Sequence, residues 1–181
     1  MARLFVAIEL PDEVCIVLRE FQRKLHGRVT KASSFHLTLQ FIGDVDDTKI
    51  PSIIELLRKV SFSSFTLSLS SAGVFPSSHS PRVVWIGIAP GTTAVALAKQ
   101  VSSCLAPLEL VPDHEFHPHI TLARVKFLEN KKEFLAAIDL WKVPPASFVV
   151  NAFHLIKSTL SKKGPVYETL ESFQAKSTKP L

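Results

Sequence analysis

Cysteine is scarce in this chain: only Cys15 and Cys104 occur, far apart and in neither a C-x-x-C nor a ligand-like spacing. That excludes a disulfide framework and fits reduced thiols in a cytosolic compartment. Nowhere do 18 apolar residues follow one another, so no segment has the length of a membrane-spanning helix. The short apolar stretch from Leu4 to Leu10 ends at Pro11, Asp12 and Glu13 without a small-residue cleavage site. A soluble, cytoplasmic protein with no membrane partner is therefore expected. No linker divides the 181 residues, which predicts a single domain over 1–181. What is present is a normal globular mixture, 46% hydrophobic and 20% charged, too apolar for a disordered chain. The formal net charge of +5 is compatible with a polyanionic partner such as RNA, although a basic surface alone does not specify one.

Hydrophobic spacing predicts an alternation of strands and helices. Arg3 to Leu10 reads as a strand, followed by a helix that Pro11, Asp12 and Glu13 can start and that carries Val14, Val17, Leu18, Phe21 and Leu25 before Gly27. Phe35 to Ile42 reads as a strand ending at Gly43, and Ile50, Ile53, Ile54 and Leu57 mark a second helix. Strands follow at Phe65 to Phe75 and Val83 to Ile88, separated by the Ser- and Pro-rich loop Pro76 to Pro81. The second half repeats the order. Thr92 or Thr93 can cap a helix with Ala94, Leu97, Val101 and Leu105; a strand runs from His119 to about Val125 and a helix over roughly Glu129 to Leu140. Strands at Phe148 to Ile156 and Val166 to Leu170 come last, with a flexible tail from about Gln174.

A fixed offset of 83 residues relates His36 to His119, Thr38 to Thr121, Leu39 to Leu122, Val60 to Val143, Phe65 to Phe148 and Val83 to Val166. This predicts two lobes related by a pseudo-two-fold axis. Chance readily matches apolar residues between similar patterns, so the His and Thr coincidences carry the argument. His36-Leu37-Thr38-Leu39 and His119-Ile120-Thr121-Leu122 are both H-x-T-apolar. Successive side chains of a strand alternate faces, so each His shares a face with its Thr while the apolar neighbours enter a core. Two such faces meeting across a groove would bring two imidazoles and two hydroxyls to one site.

That constellation suits displacement at phosphorus. With unperturbed pKa values near 6.5, one imidazole can take a proton from water while the other gives one to the departing oxygen. The threonine hydroxyls can hydrogen-bond the non-bridging oxygens that carry the charge.

The stretches Phe35-His36-Leu37-Thr38-Leu39-Gln40-Phe41-Ile42-Gly43-Asp44, Phe116-His117-Pro118-His119-Ile120-Thr121-Leu122-Ala123-Arg124, Pro81-Arg82-Val83-Val84-Trp85 and Arg3 to Ile8 carry a family likeness. The chain resembles the RNA 2',3'-cyclic phosphodiesterases, also called 2'-5' RNA ligases, of the 2H phosphoesterase superfamily. The resemblance spans nearly the whole chain. It implies an α+β, bilobal 2H phosphoesterase fold: two lobes of mainly antiparallel sheet with outer helices and a central cleft. It also implies hydrolysis of a terminal 2',3'-cyclic phosphate to a 2'-phosphate, by a monomer, on RNA ends or cyclic-phosphate nucleotides, with no metal and no cofactor. By the resemblance His36 is the proton donor and His119 the proton acceptor, Thr38, Thr121 and Arg124 bind phosphate, and Phe41 stacks on the terminal base. Gln40 stands where many members have a basic residue, which predicts weaker phosphate or RNA affinity on that side.

Phe41 and Arg124 are equivalent under the offset, each five residues after its His, and strict alternation puts both on the core face. They reach the cleft only if their strands twist, bulge or end first. Two other readings compete. His114, His117 and His119 are dense enough for a metal site, which would leave the His36 motif unexplained. A non-catalytic module binding RNA ends would use the same cleft but would be expected to have lost a His or Thr, and all four are present. His26, His79 and His154 read as structural or surface residues.

Overall fold

The computed structural model describes residues 1–162 and 164–176. Its elements run β1 (Ala2–Glu9), α1 (Asp12–Arg23), β2 (Arg28–Lys31), β3 (His36–Val45), α2 (Ile50–Leu57), β4 (Phe65–Phe75), β5 (Val83–Ala89), α3 (Gly91–Leu105), β6 (His119–Phe127), α4 (Lys131–Asp139), β7 (Ser147–Val150), β8 (Ala152–Ser161) and β9 (Gly164–Gln174). The strands among the described residues join one sheet in the order β7-β4-β5-β6-β3-β1-β8-β9, with β2 added along β6. Each of these strand pairings is antiparallel.

The sheet is two half-sheets joined at one residue pair. Leu37 of β3 faces Ile120 of β6, both fully buried, and beyond that pair the strands separate. Past the junction the free edge of β6 is taken by β2, whose Val29, Thr30 and Lys31 pair with Val125, Arg124 and Ala123. Gln22 of α1 secures the exit from β2, its buried Nε2 donating to the carbonyls of Ala32 and Leu122 at 2.9 Å each. The helices cover the sheet through apolar stripes at helical spacing. Val14, Leu18 and Phe21 of α1 are buried, with α1 against β6, and Ala94, Leu97, Ala98, Val101 and Leu105 of α3 are buried, with α3 against β3. Each helix thus packs on the other repeat's motif strand.

This exchange corrects the offset of 83 residues. It holds for β3 and β6, but Phe65 and Phe148 lie in β4 and β7, which are hydrogen-bonded neighbours in one half-sheet. Val83 sits inside the sheet, in β5, whereas Val166 is on the edge strand β9. The pairing gives the true correspondence: β5 lies beside β6 as β1 lies beside β3, and β4 lies beside β5 as β8 lies beside β1. The last strand of each repeat has changed sides. Apolar strands match one another in pattern whichever edge they join, so spacing alone could not detect the swap.

Smaller departures have local causes. β2 is short and mostly exposed, with no apolar alternation to announce it. α3 begins at Gly91 after Pro90, so neither Thr92 nor Thr93 is the cap. The single strand expected over Phe148 to Ile156 is divided at Asn151 into β7 and β8, which pair with different partners. The flexible tail expected from about Gln174 does not begin there: Gln174 pairs with Ala152, and the Ala175 and Lys176 amides donate to the carbonyls of Asn151 and Phe62. Residues 177–181 of that expected tail lie outside the described residues. Among the described residues no helix is long and apolar enough to cross a membrane.

Candidate active site

The two motif strands have the same sequence of burial along their first six residues: half-buried, buried, half-buried, buried, buried, exposed. In β3 these are His36, Leu37, Thr38, Leu39, Gln40 and Phe41; in β6 they are His119, Ile120, Thr121, Leu122, Ala123 and Arg124. Two consecutive buried residues break the alternation, and the pairing explains why. Opposite β3, one step from Ala7 to Val6 spans two steps from Thr38 to Gln40. Opposite β6, one step from Trp85 to Val84 spans two steps from Thr121 to Ala123. Each motif strand therefore carries an extra residue, a β-bulge, at the equivalent place.

The bulges resolve the conflict over Phe41 and Arg124. Both side chains are shifted by one residue of register onto the face already occupied by His and Thr, and Phe41 is 64% exposed. Gln40 takes the inward place instead. It is buried and its Nε2 donates to the Leu110 carbonyl at 2.8 Å, so it does not border the cleft, and the expectation that it weakens phosphate affinity there is not supported.

His36, Thr38, Phe41, His119, Thr121 and Arg124 all line one cleft of about 1010 Å³. His36 and Thr38 flank Leu37 as His119 and Thr121 flank Ile120, so each strand brings one His and one Thr to the junction pair. The site is thus nearly symmetric in its backbone. Its rim carries Arg3, Lys31 and Lys157, with Arg3 Nε 3.6 Å from the Asp44 carboxylate.

The histidines differ in what supports them. His119 Nδ1 lies 2.7 Å from the His117 carbonyl, which makes Nδ1 the protonated nitrogen of the neutral ring and leaves the Nε2 lone pair as its acceptor. Its ring meets Phe75 edge-on at 4.9 Å and lies 6.4 Å from Trp85. Trp85 itself lies over Gly73 of β4, where a Cβ would overlap the indole. His36 packs against Phe5 at 4.9 Å and meets Tyr167 edge-on at 5.5 Å. Burial lowers the pKa of both imidazoles, that of His36 to about 4, with Glu9 opposing the shift and His119 adding to it. For His119 the His117 carbonyl opposes the shift, and the charges of His117 and Arg124 add to it.

Sequence reasoning missed the supporting residues. Phe5, Phe75 and Trp85 are apolar residues in strands and look like any other core position. His117 stands out in the sequence for its imidazole, whereas the group that touches His119 is its carbonyl. Among the described residues no three His, Cys, Asp or Glu side chains are placed to hold a metal ion. Tyr167 comes from β9, an edge strand whose pattern gives no sign that it returns to the site. Burial raises its phenol pKa and the nearby Arg124 charge opposes that rise. His154 is occupied elsewhere, its Nδ1 2.9 Å from Ser172 Oγ.

An antiparallel sheet that folds two H-x-T strands onto one cleft, with helices outside, is the architecture of the 2H phosphoesterases. The chain belongs to the 2'-5' RNA ligase superfamily, which it matches over residues 10–161. It is 34% identical over 175 residues to the RNA 2',3'-cyclic phosphodiesterase of Methanocaldococcus jannaschii, covering 94% of this chain and 99% of that one. A crystal structure of a Thermus thermophilus protein superposes with a TM-score of 0.80 at 32% identity, covering 98% of this chain and 100% of the other. E. coli LigT complexed with 3'-AMP superposes with a TM-score of 0.76 at 30% identity, covering 97% and 98%.

Proposed function

We propose that the cleft hydrolyses the 2',3'-cyclic phosphate at an RNA end to a 2'-phosphomonoester by two-histidine acid and base catalysis. The observation that carries this reading is the matched pair of bulged H-x-T strands, which turns both imidazoles, both threonines and Arg124 toward one space. The name of the M. jannaschii relative and the 3'-AMP bound by E. coli LigT support the substrate class.

His119 Nε2 takes a proton from water as the water oxygen attacks phosphorus. The bond from phosphorus to the 3' oxygen breaks, and His36 gives that oxygen its proton. The product is a 2'-phosphate with a free 3' hydroxyl, and solvent returns each histidine to its starting state. Arg124 balances the charge that grows on the non-bridging oxygens, and the Thr38 and Thr121 hydroxyls donate to them. Phe41, exposed on the same face, offers a platform for the terminal base. The acid and base pair works equally in reverse, which permits joining of RNA ends through a 2'-5' bond. Both motifs come from one chain, so a single copy supplies the whole acid and base pair.

The test is turnover of 2',3'-cyclic nucleotides and of oligonucleotides ending in the cyclic phosphate, with 2'- and 3'-phosphate products resolved. Exclusive formation of the 2'-phosphate, undiminished after exhaustive chelation, is the expected result. A 3'-phosphate product would reverse the assignment of the leaving oxygen, and loss of turnover on chelation would reject the metal-independent route.

A further inference from the structure

A second cavity, of about 480 Å³, adjoins the cleft and shares Phe5, Ser33, Ser34, His36, Pro165 and Tyr167 with it. Tyr167, the one tyrosine of the chain, lines both spaces and turns its ring edge-on to Phe5 at 5.4 Å and to His36 at 5.5 Å. The two spaces differ in charge. Arg3, Lys31, Arg124 and Lys157 line the cleft against Asp44, whereas Glu9 is the carboxylate that lines the second cavity. A phosphate suits the first and is repelled from the second. Glu9 is held in place by Thr169, whose hydroxyl donates to Oε1 at 3.0 Å, and both carboxylate oxygens keep lone pairs with which to accept further bonds. Ser33 and Ser34 add hydroxyls, and Phe35, Leu10 and Ile156 supply apolar wall. An apolar slot edged by a carboxylate and hydroxyls fits a nucleobase that presents N–H donors.

We propose that this cavity takes the base of the nucleotide preceding the RNA end and favours guanine, whose N1–H and N2–H groups present two adjacent donors to the Glu9 carboxylate. The inference rests on the reading of the cleft as the site of a terminal cyclic phosphate. Under that reading the terminal ribose lies against His36 and its base against Phe41. The RNA chain leaves that ribose through its 5' oxygen, so the preceding nucleotide must pass beside His36, where the second cavity opens. Adenine and cytosine present one amino group to a carboxylate. Uracil presents a single N–H between two carbonyls, which the carboxylate repels.

The experiment compares four dinucleotides that end in the same uridine 2',3'-cyclic phosphate and differ in the first base. Each kcat/KM is divided by that of 2',3'-cyclic UMP measured with the same enzyme. Division removes any influence of Glu9 on the His36 imidazole, since both substrates use that group. The guanine-led dinucleotide is expected to exceed the uracil-led one by about tenfold, the discrimination typical of a good two-donor contact. Glu9→Gln should level the four ratios, and Val166→Trp, which fills the cavity from β9 at a residue outside the cleft, should bring all four close to one. Level ratios in the unaltered protein, or a ranking that survives Glu9→Gln, would overturn the subsite. If the mononucleotide is turned over and the ratios are level, the subsite alone fails. If no cyclic phosphate is turned over, the reading of the cleft fails and this inference with it.

Discussion

β3 and β6 share a motif, a bulge and a burial pattern, yet the two strands are furnished differently. His119 has a backbone acceptor on Nδ1, from a segment just before its own strand, and an aromatic backing of Phe75 and Trp85. His36 has no such local carbonyl in its surroundings as described, and is set among Phe5, Glu9 and Tyr167, which come from β1 and β9. Duplication supplies the symmetric part, a pair of strands able to face one another. Under the proposed mechanism the asymmetric part divides the labour. A ring whose Nδ1–H is fixed by a carbonyl presents Nε2 as a base, whereas the carboxylate beside His36 opposes, without cancelling, the burial that disfavours its extra proton.

The largest effect should come from removing either imidazole. His36→Ala and His119→Ala are each expected to lower kcat for 2',3'-cyclic nucleotides by about 10² to 10⁴, the usual contribution of a positioned acid or base. The double variant should lose little more than the worse single variant, because acid and base act in one step. Circular dichroism unchanged from the parent would show that chemistry and not folding was lost. Additive losses would mean that the two strands act independently, and the comparison between them would lose its meaning.

Arg124 and Phe41 occupy equivalent places after the bulges, so substituting each separates charge from shape. Arg124→Ala should reduce kcat/KM by about 10- to 100-fold, the range of a charge-assisted hydrogen bond. Phe41→Ala should instead raise KM with kcat nearly unchanged, by an amount corresponding to about 1 to 3 kcal/mol per stacked base. Steady-state kinetics on one cyclic nucleotide distinguishes them. A Phe41→Ala protein with unchanged KM but reduced stability would make the ring a packing element after all.

The pH profile tests the division of labour directly. Burial holds both imidazoles below their ordinary value, His36 at about 4, so in the free enzyme the form with one protonated and one neutral ring is a minority at pH 7. The profile of kcat/KM should therefore peak below pH 6.5 and fall toward alkaline pH as the acid loses its proton. A bound phosphate anion favours imidazolium, so the kcat profile should lie on the alkaline side of the kcat/KM profile. The two limbs belong to the coupled pair and not to either residue. Stability has its own sign: the native state favours neutral His36, so stability is undiminished above about pH 6.5 and falls as pH drops from there toward about 4. A kcat/KM optimum well above pH 7 would contradict the buried setting of both rings.

What could be read in the sequence followed from period-two alternation and residue chemistry. His36, Thr38, His119 and Thr121 are legible because an imidazole and a hydroxyl at matching places in two apolar strands have no reason to recur in a core. The bulges are not legible. An inserted residue leaves composition and spacing unchanged and appears only in the partner strand, where Ala7 and Val6 face Thr38 and Gln40. Arg124 could be suspected of escaping the core, since a buried unpaired charge is costly, whereas for Phe41 only the family resemblance pointed to the cleft and its own chemistry suited a core equally. The swapped strands and Tyr167 were hidden for a related reason: which edge a strand joins depends on long-range pairing, and apolar alternation looks the same at every edge.

The smallest expected change distinguishes the two bulges themselves, at Gln40 and Ala123. Both are buried residues turned inward by the extra step, but Gln40 has to satisfy a polar side chain there. Its Nε2 reaches the Leu110 carbonyl, while Oε1 is buried with no hydrogen-bond partner among the described residues. Gln40→Lys, which introduces the basic residue that the family resemblance led us to expect there, would place an ammonium in that inward position. If the bulge fixes the direction of residue 40, the substitution should leave KM for cyclic phosphate unchanged and lower stability by about 2 kcal/mol, or Tm by about 4 to 8 °C. Thermal unfolding beside steady-state kinetics gives both readings. Unchanged Tm with a lower KM would mean that the lysine reaches the cleft, and that the bulge in β3 does not fix the direction of residue 40.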